Sequence, residues 1–166
     1  MGISDDFGMA FAKGQIAAGQ NLPTEGTAFL SVNDHDKPGL VHVARRLARL
    51  GFRLMATRGT AAELRAAGLA VERVFKVNEG RPNSVDHMLS GKIDLMINTP
   101  LGRESFYDDT SLRRTALNLG ILSVTTLTGA NATVAGIEAL KRGGDRARSL
   151  QSMHPTRILR SPERKD

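Results

Sequence analysis

Apolar and polar positions along the middle of the chain follow two rhythms. Short apolar, partly β-branched runs predict strands at Thr27–Val32, Phe52–Thr57, Val71–Val77, Ile93–Asn98 and Ile121–Thr126. The stretches between them repeat apolar residues every three or four positions, as in Val43, Leu47 and Leu50 after Leu40, and predict helices. Gly51 stands where a left-handed C-terminal cap is wanted, and Gly68, Gly91, Gly120 and Gly143 repeat that punctuation. Strands alternating with helices of this length imply parallel pairing through right-handed crossovers, hence a three-layer α/β/α sandwich.

The ends follow other patterns. Ser4–Gly19 predicts a helix with Phe7, Ala10, Phe11 and Ala18 on a shared face, joined to the first strand by a Pro- and Gly-containing linker, Asn21–Gly26. It starts as abruptly as a piece of something longer. Beyond Gly143 the chain is rich in Arg and Ser; a short helix near Arg146–Met153 and a frayed end are expected there. The expected organisation is a helix and linker over 1–26, one domain over 27–150 and a basic tail over 151–166.

A length of 166 residues suits one domain with one site. There is no cysteine, which excludes disulfides, thiolate metal sites and cysteine nucleophiles, and which fits a cytoplasmic protein. The net charge of +6 invites a nucleic-acid reading, but residues 139–166 carry eight Lys or Arg against three acids, leaving the remainder almost neutral. With only six Phe and one Tyr, a stacking platform for single strands is not expected, so no nucleic-acid partner is assigned. No run is long and apolar enough to span a bilayer, so no membrane partner is assigned either.

In an open parallel sheet, ligands bind at the carboxyl ends of the strands, beside helix N-termini. The residues falling there are Asp34, Asp36 and Lys37; Thr57, Gly59 and Thr60; Lys76 and Asn78; Asn98 and Thr99; Thr125 and Thr126. Thr60 and Glu63 have capping-box spacing, which predicts a helix starting at Thr60. Gly59 would let a ligand approach the backbone, and the first-turn amides with two threonine hydroxyls would offer neutral donors to a phosphate. The same residues suit a well-capped helix with no ligand. If Lys37 and Lys76 end neighbouring strands, both ammonium groups converge on that phosphate. Arg81, in the loop Glu79–Asn83, is a further candidate anion contact, and Ser84 or Asn83 caps the helix that follows.

Catalytic alternatives are thinner. Of four histidines only His35 falls near this edge, where Asp34 and Asp36 could orient it as a base, although a polar loop explains all three. No helix carries metal-ligand spacing, and neither a P-loop nor a GxGxxG fingerprint is present.

The segments MGISDDFGMAFAKGQIAAG, SVNDHDK, GFRLMATRGTA, VFKVNEGRPNSVD, DLMINTP, SLRRTAL and TTLTGANA, taken in order from Met1 to about Leu150, resemble the C-terminal regulatory domain of the carbamoyl-phosphate synthase large chain. That resemblance implies the methylglyoxal-synthase-like fold, with a five-stranded parallel sheet. It also implies a domain without chemistry or cofactor of its own, which binds UMP, and in some members IMP, to control a parent ligase that uses ATP with Mg or Mn. The implied partners are a nucleotide monophosphate, the remaining domains of the large chain and the glutaminase small chain, in pyrimidine and arginine biosynthesis. Carried over by position, phosphate contacts fall on Lys37, Thr57, Thr60 and Lys76, and a nucleoside contact falls on Asn98. Gly59 joins the phosphate group, and Thr99 and Arg81 the nucleoside side, from their places at the edge. Thr125 matches an ornithine contact of arginine-responsive members, and Pro100 stands where some members place a hydroxyl. The competing expectation is a free-standing methylglyoxal synthase acting on dihydroxyacetone phosphate. Its histidines would fall at Asn33 and Tyr107, neither of which performs histidine's proton chemistry. The N-terminal helix and Ser105–Arg114 are expected to contribute to an interface with the parent chain.

Overall fold

Successive residues of β1 (Thr27–Val32) point to opposite faces of a sheet, Ala28 and Leu30 into one core and Phe29 into another. β2 (Arg53–Thr57) repeats the split with Leu54 and Ala56 against Met55, and β4 (Leu95–Thr99) with Leu95 and Ile97 against Met96. Strands buried on both faces need helices on both, and the sequence supplies them. The computed structural model describes residues 1–100 and 106–143, with only the backbone of 106–109. With β3 (Glu72–Val74) and β5 (Leu122–Val124), the strands form one all-parallel sheet in the order β3-β2-β1-β4-β5.

One face is covered by α1 (Phe7–Ala17), α2 (Lys37–Arg49), α3 (Arg58–Ala66) and α6 (Leu127–Arg142). The other is covered by α4 (Ser84–Leu89) and α5 (Phe106–Asn118), through Met88, Leu112 and Ala116. The expected three-layer sandwich is therefore present. Gly51, Gly68, Gly91, Gly120 and Gly143 all have positive φ, as the expected helix ends require.

Helices α2 and α6 are joined at two points. The guanidinium of Arg46 grips Glu138 with two bonds (Nε to Oε1 2.9 Å, Nη2 to Oε2 2.8 Å) and donates a third to Asn131 Oδ1 at 3.3 Å. This fork holds the Glu138 carboxyl below the ordinary glutamate range, chiefly through the hydrogen bond from Arg46. Near the two helix starts, a Cβ built on Gly39 would lie 2.7 Å from Leu127 Cδ1, so only glycine permits this approach without a shift.

Several expectations are corrected. α3 begins at Arg58, directly out of β2, so Thr60 is its third residue and the Thr60–Glu63 capping box does not form. Thr60 is buried, and its hydroxyl is drawn inward to accept from Val32 N at 3.3 Å. The capping box sits instead at Asn83 and Asp86, at the start of α4. β3 is shorter than Val71–Val77, and Lys76 lies beyond its end. β2 separates β1 from β3, so Lys37 and Lys76 do not end neighbouring strands. β5 stops at Val124, which releases Thr126 to cap α6 by accepting from Gly129 N at 3.0 Å. α1 turns Gly8, Met9 and Ala12 inward, not Phe7, which is 68% exposed. Gly8 packs closely on α6, where a Cβ would meet Ala135 O at 2.3 Å, and Phe11 lies against Gly136 of the same helix. The expected helix near Arg146–Met153, the frayed tail, Ser105 and the Tyr107 side chain lie outside the described residues.

Candidate functional site

The carboxyl edge of β1 is organised by Asn33. Its Nδ2 donates to Asp36 Oδ2 at 2.7 Å and to Thr99 Oγ1 at 3.1 Å, while its Oδ1 accepts from Asp36 N at 3.1 Å. The turn after β1 is thereby tied both to itself and to the end of β4, and α2 starts from a fixed place. Lys37 is the first residue of α2, with a half-buried stem whose side chain is 22% exposed.

The Lys37 ammonium reaches across to the start of α3. A Cβ built on Gly59 would lie 3.0 Å from Lys37 Nζ and 3.6 Å from its Cε, so glycine leaves the space that the lysine occupies. Beneath it, Thr57 is 4% and Thr60 1% exposed, and their hydroxyls are 3.4 Å apart, with Ser31 Oγ a further 3.4 Å from Thr57 Oγ1. The structure thus gathers Lys37, Thr57, Gly59 and Thr60 where a helix of nine residues presents its first amides.

Asp34, in the turn before α2, forms an ion pair with Lys37 and is itself 90% exposed. Its carboxyl is held below the ordinary aspartate range by the hydrogen bond and charge of Lys37, with smaller contributions from His35 and Lys76. Lys37 follows β1 and Lys76 follows β3, the strands on either side of the β2 that leads into α3.

The other expected residues divide. Asn98 and Thr99 are buried at the end of β4, paired beside Ser31 and Val32 of β1. Arg81 is exposed and ion-pairs with Asp86 of the α4 capping box at 3.0 Å, so its charge is directed to that helix and not to the lysines. Thr125 is exposed beyond β5, two strands from β1, and belongs to a separate stretch of the edge. The expectation that Asp34 and Asp36 orient His35 is overturned: Asp34 pairs with Lys37, Asp36 pairs with Asn33, and His35 lies exposed. Asn33 as an anchor and Asp34 as a partner of Lys37 were not singled out from the sequence. The three-residue spacing of Asp34 and Lys37 was the available signal. Among the described residues no cluster of three or more potential metal ligands occurs, and no helix is long and apolar enough to cross a membrane.

A parallel α/β sheet whose carboxyl edge sets an ammonium group and two buried hydroxyls around a helix start defines a class of small α/β domains with their polar residues gathered at one sheet edge. Within that class the MGS-like domain model matches residues 39–125, and the chain belongs to this family. It is 47% identical over 154 residues to the carbamoyl phosphate synthase large chain of Acidobacterium capsulatum, covering 93% of this chain and 14% of that protein. It is 50% identical over 155 residues to the large chain of Pseudomonas putida, again over 93% of this chain and 14% of the relative. The C-terminal section of the large chain of Methanopyrus kandleri is 48% identical over 155 residues, 93% of this chain and 29% of that one. The chain therefore spans only a small part of the proteins it resembles. Among solved structures, methylglyoxal synthase from Elizabethkingia anophelis superposes with a TM-score of 0.57 at 21% identity, covering 68% of this chain and 79% of that one, which shows a shared fold.

Proposed function

We propose that this chain is the nucleotide-effector domain of a carbamoyl phosphate synthase large chain, with Lys37, Thr57, Gly59, Thr60 and Lys76 receiving the phosphate of a nucleoside monophosphate such as UMP or IMP. The observation that carries this reading is the Lys37 ammonium lying over Gly59, above two buried threonine hydroxyls at a helix start. Asn98 and Thr99, buried at the end of β4 beside β1, then face the nucleoside in this reading, and Thr125 is the contact for a second effector, ornithine, at another stretch of the edge. The likeness to large chains over 93% of the sequence supports a parent that uses ATP with Mg or Mn, a glutaminase small chain as partner, and a cytoplasmic place in pyrimidine and arginine biosynthesis.

Regulation by such a site is linkage. The effector binds one conformation of the parent better than another, with a coupling typically of about 1 to 3 kcal/mol. A free-standing lyase is disfavoured by Asn33: its amide is engaged with Asp36 and Thr99 at the place where a histidine would have to move a proton.

Calorimetric titration of the 166-residue chain with UMP, IMP and dihydroxyacetone phosphate tests the reading. UMP or IMP is expected to bind at micromolar to millimolar strength. Lys76→Ala is expected to weaken it by about fivefold, the effect of about 1 kcal/mol for an exposed charge. Release of inorganic phosphate from the triose phosphate would transfer the site to the lyase reading, and no binding of either nucleotide would remove the effector reading.

A further inference from the structure

We infer that Asp34 is a built-in counter-ion of the anion seat, a carboxylate that holds the Lys37 ammonium while the site is empty and that an incoming phosphate must displace. The inference rests on the reading of this edge as a phosphate seat. Two observations carry it: Asp34 ion-pairs with Lys37, and that same ammonium lies over Gly59 at the start of α3.

Whether such a contact helps or hinders the ligand depends on what keeps Lys37 in place. If Asp34 alone ordered the lysine, removing it would cost the ligand an ordered partner. The lysine stem is largely buried, however, and leaves the first residue of a helix, so packing fixes its course whether or not the carboxylate is there. Competition is therefore the larger effect. Asp34 sits in a solvent-exposed turn, so its displaced carboxylate returns to water without a burial penalty. A phosphate dianion, with more charge and three acceptor oxygens, outcompetes it for the ammonium where a weaker anion does not.

The test is a set of calorimetric titrations with inorganic phosphate and with UMP on the wild-type chain, Asp34→Asn, Lys37→Met and the double variant. Asp34→Asn is expected to tighten both ligands two- to fivefold, the scale of an exposed ion pair. Lys37→Met is expected to weaken both, and in its background the gain from Asp34→Asn should vanish, because the contact it removes is already gone. If Lys37→Met leaves affinity unchanged, the phosphate seat itself is wrong. If Lys37→Met weakens binding but Asp34→Asn does not tighten it, the seat stands and the counter-ion role falls. Equal tightening in both backgrounds would make Asp34 a diffuse charge and overturn the inference as well. A carbon-detected titration of the Asp34 carboxyl needs no variant: saturating inorganic phosphate should raise its midpoint towards the ordinary aspartate range, and an unmoved midpoint would refute displacement.

Discussion

Replacing Gly59 by alanine separates stability from ligand affinity at a single atom. Gly59 lies in the first turn of α3 and its φ is not positive, so alanine meets no backbone strain and, as a better helix former, is expected to leave stability unchanged or raise it by up to about 1 kcal/mol. The added methyl carbon, however, would lie 3.0 Å from Lys37 Nζ and 3.6 Å from Cε, closer than a methyl and an ammonium comfortably approach. The end of a lysine is flexible, so it is the ammonium that yields, by a few tenths of an ångström and away from the helix start. A charge-assisted hydrogen bond contributes about 1.5 to 3 kcal/mol, and losing part of one such contact weakens phosphate or UMP binding by roughly three- to tenfold. Thermal unfolding and calorimetric titration of the same sample read both quantities. Unchanged or improved phosphate affinity in Gly59→Ala, with the fold intact, would refute the placement of the phosphate beneath Lys37.

The joint between α2 and α6 makes two further predictions. The folded state holds the Glu138 carboxyl below its unfolded range, so the Arg46 fork is fully stabilising above the ordinary glutamate range and is lost as the pH falls through the depressed folded value. Glu138→Gln should lower stability in urea by about 1 kcal/mol at pH 7, and the deficit should shrink with acidification; a deficit independent of pH would mean that the carboxylate charge is not what acts. Gly39→Ala drives a methyl towards Leu127 Cδ1 and should cost about 1 to 3 kcal/mol, a cost largely removed in the Leu127→Ala background; an undiminished cost there would place the strain elsewhere.

The apolar runs located all five strands; β1, β2 and β4, buried on both faces, leave the strongest local signal, and Thr27–Val32 agrees at both ends, whereas the exposed edge strand β3 is shorter than its run. Helix starts were less legible. A Thr followed three residues later by Glu has the spacing of a capping box, but spacing does not record which way the threonine points, and Thr60 faces the sheet. The order of strands is set by crossovers and not by local pattern, so nothing in the sequence alone placed β2 between Lys37 and Lys76. The exposed Phe7 breaks the apolar-inside rule: α1 buries Gly8, Met9 and Ala12, and the close approach of Gly8 to α6 is a tertiary contact that periodicity does not record. Candidate residues at the edge were legible because parallel topology assigns function to one end of every strand. Their mutual contacts, Asn33 with Thr99 and Asp34 with Lys37, needed coordinates.

The Arg46 fork makes a lever of two helices. One arm begins with Lys37 and the other follows directly on Thr125 and its capping neighbour Thr126, while the guanidinium clasps the pair further along. Because a bidentate clasp resists twisting as well as sliding, it fixes the two arms against one another. Two remote stretches of a single rim thereby share one pivot.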